Sequence, residues 1–119
     1  MPTDVFGSEP AHTWCYIFLK ADLARQYRHW DQIYELWSKA LAQNYHPDYG
    51  AEYLPFIESF ARNGKWPQAL QLTKQANEQT EAMQPFLCDN WQRLISETRV
   101  SPEREAAWEQ VKGLLACGG

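Results

Sequence analysis

One frame is written twice in this chain. From Arg25 the sequence reads R-Q-Y-R-H-W-D-Q-I-Y-E-L-W-S-K-A, and from Ala61 it reads A-R-N-G-K-W-P-Q-A-L-Q-L-T-K-Q-A. Trp30 falls over Trp66, Gln32 over Gln68, Leu36 over Leu72 and Ala40 over Ala76, a constant step of 36 residues. In the second copy a helix ends on Arg62-Asn63-Gly64 and another restarts at Pro67. Glycine accepts the left-handed geometry of a helix end, and proline is pre-set for a helix's first turn. The repeated unit is therefore a tight helix-turn-helix, and whatever the chain folds into must stack such units.

The rest of the chain extends the pattern. Residues 1–7 read as a disordered lead, and Ser8, Glu9 and Pro10 open a first helix that carries Trp14, Ile17, Phe18 and Ala21 on one stripe and runs to about Tyr27. The second helix, about Trp30 to Gln43, carries Trp30, Ile33, Tyr34, Trp37, Ala40 and Leu41 at helical period, and stops before Asn44-Tyr45-His46-Pro47. A third begins between Asp48 and Tyr53 and reaches Asn63, with Tyr53, Phe56, Ile57 and Phe60 inward. Pro55 requires either that this helix start close by or that it kink there. Helices over about 67–79, 86–98 and from Pro102 to the chain end complete the set, the last opened by Ser101-Pro102-Glu103. No strand pattern survives. The predicted fold is all-α, one domain over residues 8–116, with six helices in three antiparallel hairpins at about 8–46, 47–83 and 84–116.

Composition narrows the function. A net charge of −4 and a pI near 5.3 argue against a nucleic-acid partner, whose phosphates need clustered Lys and Arg. No apolar run is long enough to span a bilayer, and Met1-Pro2-Thr3-Asp4 lacks the pattern of a signal peptide. Three cysteines, odd in number and widely spaced, read as buried packing thiols, with a Cys15–Cys88 disulfide as the alternative. No cofactor is expected.

Paired helices repeating every 34 or so residues, with small and aromatic residues in a fixed frame, mark tetratricopeptide repeats. The chain resembles that family at Gly64, Trp66, Ala69, Thr73 and Ala76, and at Trp30, Ile33, Trp37 and Ala40. The resemblance implies a right-handed superhelix, a tetratricopeptide-like solenoid, whose first helices line a groove that binds protein or peptide. Mapped onto this chain, the groove holds Cys15, Phe18, Asp22, Arg25 and Gln26, then Leu54, Glu58 and Arg62, then Leu87, Asn90 and Leu94. Phe18 and Leu54 beside Arg25 and Arg62 suit a peptide of acidic or C-terminal carboxylate character, since arginine offers a planar fork. The same arginines are also in reach of Asp22 and Glu58, which leaves ion pairing within the protein as the alternative.

A narrower resemblance rests on F-G-S-E-P-A-H-T-W-C-Y from Phe6, K-A-D-L-A-R-Q from Lys20, P-F-I-E-S-F-A-R-N-G-K-W from Pro55 and F-L-C-D-N-W-Q-R-L from Phe86. These strings resemble the C-terminal segment of large bacterial membrane proteins related to the dolichyl-phosphate-mannose-type glycosyltransferases. That resemblance implies a soluble tail, cytoplasmic or on the cytoplasmic membrane face, meeting a membrane only through an upstream segment; it brings no catalytic motif. The expected role is a non-catalytic protein-binding module. Two alternatives stand beside it. His12 and Cys15, three apart, with a carboxylate could make a small metal- or thiol-dependent enzyme, and the open ends of a three-unit stack could self-associate as a homo-oligomer.

Overall fold

The structure, a computed structural model, describes residues 14–117. Those residues form six α-helices and no strand: α1 (Trp14–Gln26), α2 (Trp30–Ala42), α3 (Leu54–Arg62), α4 (Trp66–Gln79), α5 (Gln84–Glu97) and α6 (Pro102–Leu115). Short 3-10 turns, Gly50–Tyr53 and Glu81–Met83, lead into α3 and α5. The all-helical class expected from the repeat is observed. The disordered lead and the Ser8 helix start lie outside the described residues.

Helix ends follow from local chemistry. After α1, α2 and α3 the chain makes the same closure, in which one residue turns left-handed and its two flanking amides return to the last helical turn: His29 N to Ala24 O (2.9 Å), Tyr45 N to Ala40 O (2.8 Å) and Lys65 N to Phe60 O (2.8 Å). The left-handed residues are Arg28 (φ 59°), Asn44 (φ 65°) and Gly64 (φ 77°). Arg28 and Gly64 are 36 residues apart, so the turn itself repeats, although only one copy carries the residue that takes this geometry without strain. Pro55 falls in the first turn of α3, which removes any kink. Ser101 caps α6 through its hydroxyl, which accepts from Arg104 N–H at 3.1 Å.

Packing makes three hairpins, α1–α2, α3–α4 and α5–α6, each laid against the next. Aromatic rings fill the joints. Trp37 meets Phe56 at 4.9 Å and Trp14 at 6.2 Å between the first two hairpins, and Trp66, Trp91 and Trp108 stand in sequence between the second and third, at 5.6 and 6.4 Å. Trp91 is wholly buried, and its indole Nε1–H donates to Thr73 Oγ1 at 2.8 Å, while that hydroxyl donates to Ala69 O. Arg104, also buried, donates to the carbonyls of Ile95 (2.8 Å) and Thr98 (2.7 Å) and so closes the C-terminal end of α5. On the outside of the stack Leu19 and Leu23 of α1, and Tyr27 in the turn after it, are exposed.

Two expectations need correction. The constant 36-residue step fails in the third hairpin: Leu87, Asn90, Trp91 and Leu94 are the buried positions of α5, and they follow Tyr53, Phe56, Ile57 and Phe60 by 34. Toward the next hairpin, α4 packs more on α6 than on α5, whereas α2 packs on α3. The cysteines also differ from the reading of buried thiols or a Cys15–Cys88 bridge. Cys15 is exposed and free, and Cys88 is joined to Cys117, their Cα atoms 5.6 Å apart. The left-handed turn at Ala116 (φ 54°) carries the chain back from α6 to bring the two sulfurs together. Closing a 29-residue separation removes about 3.5 kcal/mol of chain entropy from the unfolded state on the loop-closure account.

Two tests follow from the packing. Thr73→Val keeps the side chain's shape but strands the buried Trp91 N–H, so denaturant titration is expected to show a loss of about 1 to 3 kcal/mol; an unchanged midpoint would deny the bond its weight. Thiol titration of air-oxidised, denatured chain is expected to count one thiol, Cys15, before reduction and three after. Three at the outset would contradict the bridge.

Candidate functional site

The first helices of the three hairpins lie side by side, with α3 touching α1 on one flank and α5 on the other. Between them is a hollow of about 290 Å³, walled by Phe18, Asp22 and Arg25 of α1, Leu54 and Glu58 of α3, and Asn90 and Arg93 of α5. Six residues expected on this face, Phe18, Asp22, Arg25, Leu54, Glu58 and Asn90, are therefore brought together. Five are not: Cys15, Gln26, Arg62, Leu87 and Leu94. Gln26 ends α1 outside the hollow, and Arg62, although on α3, lies in the opposite wall and faces a different cavity.

The reason is electrostatic. Glu58 is 4% exposed, and a carboxylate so deeply placed must be paired. Its Oε2 accepts from Arg62 Nε (3.0 Å) on its own helix and from Arg93 Nη1 (2.9 Å) across the joint to α5. Arg62 donates also to Glu97, and its guanidinium carbon lies 5.0 Å from the centre of the Trp30 ring. All of these contacts hold Arg62 inside the protein. Arg25 differs: its bonds to Asp22 Oδ1 (3.0 and 3.2 Å) are at the surface, where such a pair is worth little and its donors stay available.

Asn90 is the most informative member. It occupies the place in α5 that Phe56 holds in α3 on the 34-residue step, a core position filled by an amide. Its Oδ1 accepts from Arg93 Nη2 at 2.7 Å, while its Nδ2 is buried and has no partner. Arg93, half-exposed, thus bridges Asn90 and Glu58 with its pKa held above the ordinary arginine value, chiefly by the Glu58 hydrogen bond. The sequence frame places Asn90 on this face but gives no sign of Arg93, because its pairing depends on a contact 35 residues away.

Leu87 and Leu94, expected on the same face, are wholly buried and belong to the core. Cys15 is exposed and lies outside the hollow. His12 lies outside the described residues, and among the described residues no three His, Cys, Asp or Glu side chains are grouped to hold a metal. A larger hollow, about 440 Å³, opens on the side of the second helices, between Tyr34, Trp37 and Leu41 of α2 and Gln68, Gln71 and Gln75 of α4. It has no charged lining residue. No helix among the described residues is long and apolar enough to cross a membrane. No protein-family model, curated protein or solved structure matches the chain.

The two arginines separate in a stability measurement. Arg62→Glu sets a third carboxylate against Glu58 and Glu97 in a buried place and is expected to cost at least about 3 kcal/mol. Arg25→Glu at the surface is expected to leave the melting temperature within a few degrees. Equal effects would refute the assignment of one to the protein interior and the other to the open face.

Proposed function

We propose that the chain is a non-catalytic protein-interaction module, a tetratricopeptide-like right-handed superhelix in which α1, α3 and α5 present a groove to an extended peptide. The observation that carries this reading is that Asn90, which lines the hollow, has a buried Nδ2 without an acceptor. A buried donor without an acceptor costs about 1 to 3 kcal/mol, and a hydrophobic residue in the same place would avoid that cost. A peptide main-chain carbonyl supplies the missing acceptor. Phe18 and Leu54 offer apolar contact to its side chains, and Arg25 and Arg93 offer donors to an acidic side chain or a C-terminal carboxylate. Asp22 and Glu58 balance those two charges within the hollow, so recognition depends on placed hydrogen bonds more than on net attraction.

The resemblance to the C-terminal segment of bacterial membrane glycosyltransferase-like proteins supports reading the module as the aqueous tail of such a protein. The Cys88–Cys117 bridge favours an oxidising compartment over the cytoplasmic side expected from sequence, because thiols stay reduced in the cytosol.

A random-peptide library panned against the chain tests the groove. It is expected to enrich one motif bearing a carboxylate, and Asn90→Leu is expected to weaken capture of that peptide at least tenfold with melting within a few degrees of the unaltered chain. Failure to enrich a motif, or equal capture by the variant, would contradict the reading.

A further inference from the structure

A third hollow, about 430 Å³, lies where the hairpins turn, between the α3–α4 and α5–α6 connections. Trp30 forms one wall, and Arg62, Glu97 and Arg99 bring charge to it. Around it four guanidinium groups, of Arg28, Arg62, Arg93 and Arg99, gather near two carboxylates, of Glu58 and Glu97. Arg62 and Arg93 are committed to those carboxylates. Arg28 and Arg99 are exposed and make no ion pair among the described residues. Arg28 reaches the Trp30 ring, 5.7 Å from its centre, from an adjoining hollow that also contains Asp31. Even with Asp31 included, positive charge is in excess here, in a chain whose net charge is −4.

Glu97, hydrogen-bonded by Arg62 with Arg93 and Arg28 nearby, has its carboxyl pKa lowered, and its charge is balanced by the arginines that hold it. What remains without an ion pair is Arg99, a planar fork lining the hollow, with Arg28 close by against the Trp30 ring. We infer that this hollow is an oxyanion-binding site that takes a carboxylate or phosphate group of an acidic or phosphorylated peptide. Arg99 supplies the bidentate fork and Arg28 further positive charge, while Arg62 stays paired to Glu58 and Glu97, and Trp30, with Arg28 and Arg62 against its ring, reports on the hollow. The inference stands apart from the groove of the first helices, since neither Arg99 nor Trp30 lines that hollow.

The test uses the full ¹⁵N-labelled chain, whose six tryptophans give six indole N–H resonances, titrated separately with sodium phosphate and sodium acetate at ionic strength fixed by sodium chloride. Either anion is expected to move the Trp30 indole along a saturable curve while Trp14, at the other end of its hairpin, stays in place. Arg99→Ala, at an exposed position, is expected to weaken that binding at least fivefold with the other resonances unchanged. Saturation by phosphate at lower concentration assigns the site to phosphorylated partners, and saturation by acetate alone assigns it to carboxylates. A linear, unsaturated drift with both anions, or the same curve in Arg99→Ala, would overturn the proposal.

Discussion

A single buried carboxylate governs how the functional parts of this protein sit. Glu58 has one oxygen shared by Arg62 from its own helix and Arg93 from the next hairpin, so the charge that α3 could not bury alone becomes the joint between the second and third units. The pairing fixes where both guanidiniums point. Arg93 is left at the edge of the hollow formed by the first helices, and Arg62 is drawn to the far wall, against Trp30 and Glu97. The two hollows therefore each take one of the two arginines that share this carboxylate oxygen, Arg93 in the hollow of the first helices and Arg62 in the one where the hairpins turn.

Around that joint the apolar packing supplies stability. A single helical hairpin cannot bury its own inner face, and here each closes against the next through large rings, Trp37 with Phe56 and Trp66 with Trp91. The polar atoms that come with those rings are satisfied locally, Trp91 by Thr73 and Trp14 by Glu52 at 2.8 Å. Asn90 stands out against that background. It is a core position whose amide is half unpaired, and of the two buried side-chain atoms without a partner among the described residues, Asn77 Oδ1 and Asn90 Nδ2, only the second belongs to a residue lining this hollow, which is what points to a ligand there.

Much of this was legible from residue order alone. The 36-residue echo of Trp30 in Trp66, with Gly64 and Pro67 between helices, dictated hairpins, and the stripes of apolar residues located five of the helices to within about two residues at each described end. The turn at Arg28 was hidden because an arginine gives no sign of a left-handed backbone. The change of step in α5 was hidden because helical stripes spaced by 34 and by 36 residues use the same few apolar positions, and only contact with α3 and α4 selects between them. Cys117 gave no sign of its partner, since the approach to Cys88 depends on a reversal at Ala116. At the site, sequence spacing put Asp22 with Arg25 and Glu58 with Arg62, but not the long-range choice by which Glu58 also captures Arg93 and so removes Arg62 from the open face.

The claim at the centre is that the first-helix face, which includes Asn90, is where a peptide lies. Side-chain amide resonances of Asn90, followed as a library-selected peptide is added, report on it directly. The account predicts a downfield displacement of the Nδ2 protons as they gain an acceptor, together with shifts at Phe18 and Leu54. Shifts confined to Tyr34, Leu41 and Gln71, with Asn90 unmoved, would place the peptide on the second-helix side and contradict it.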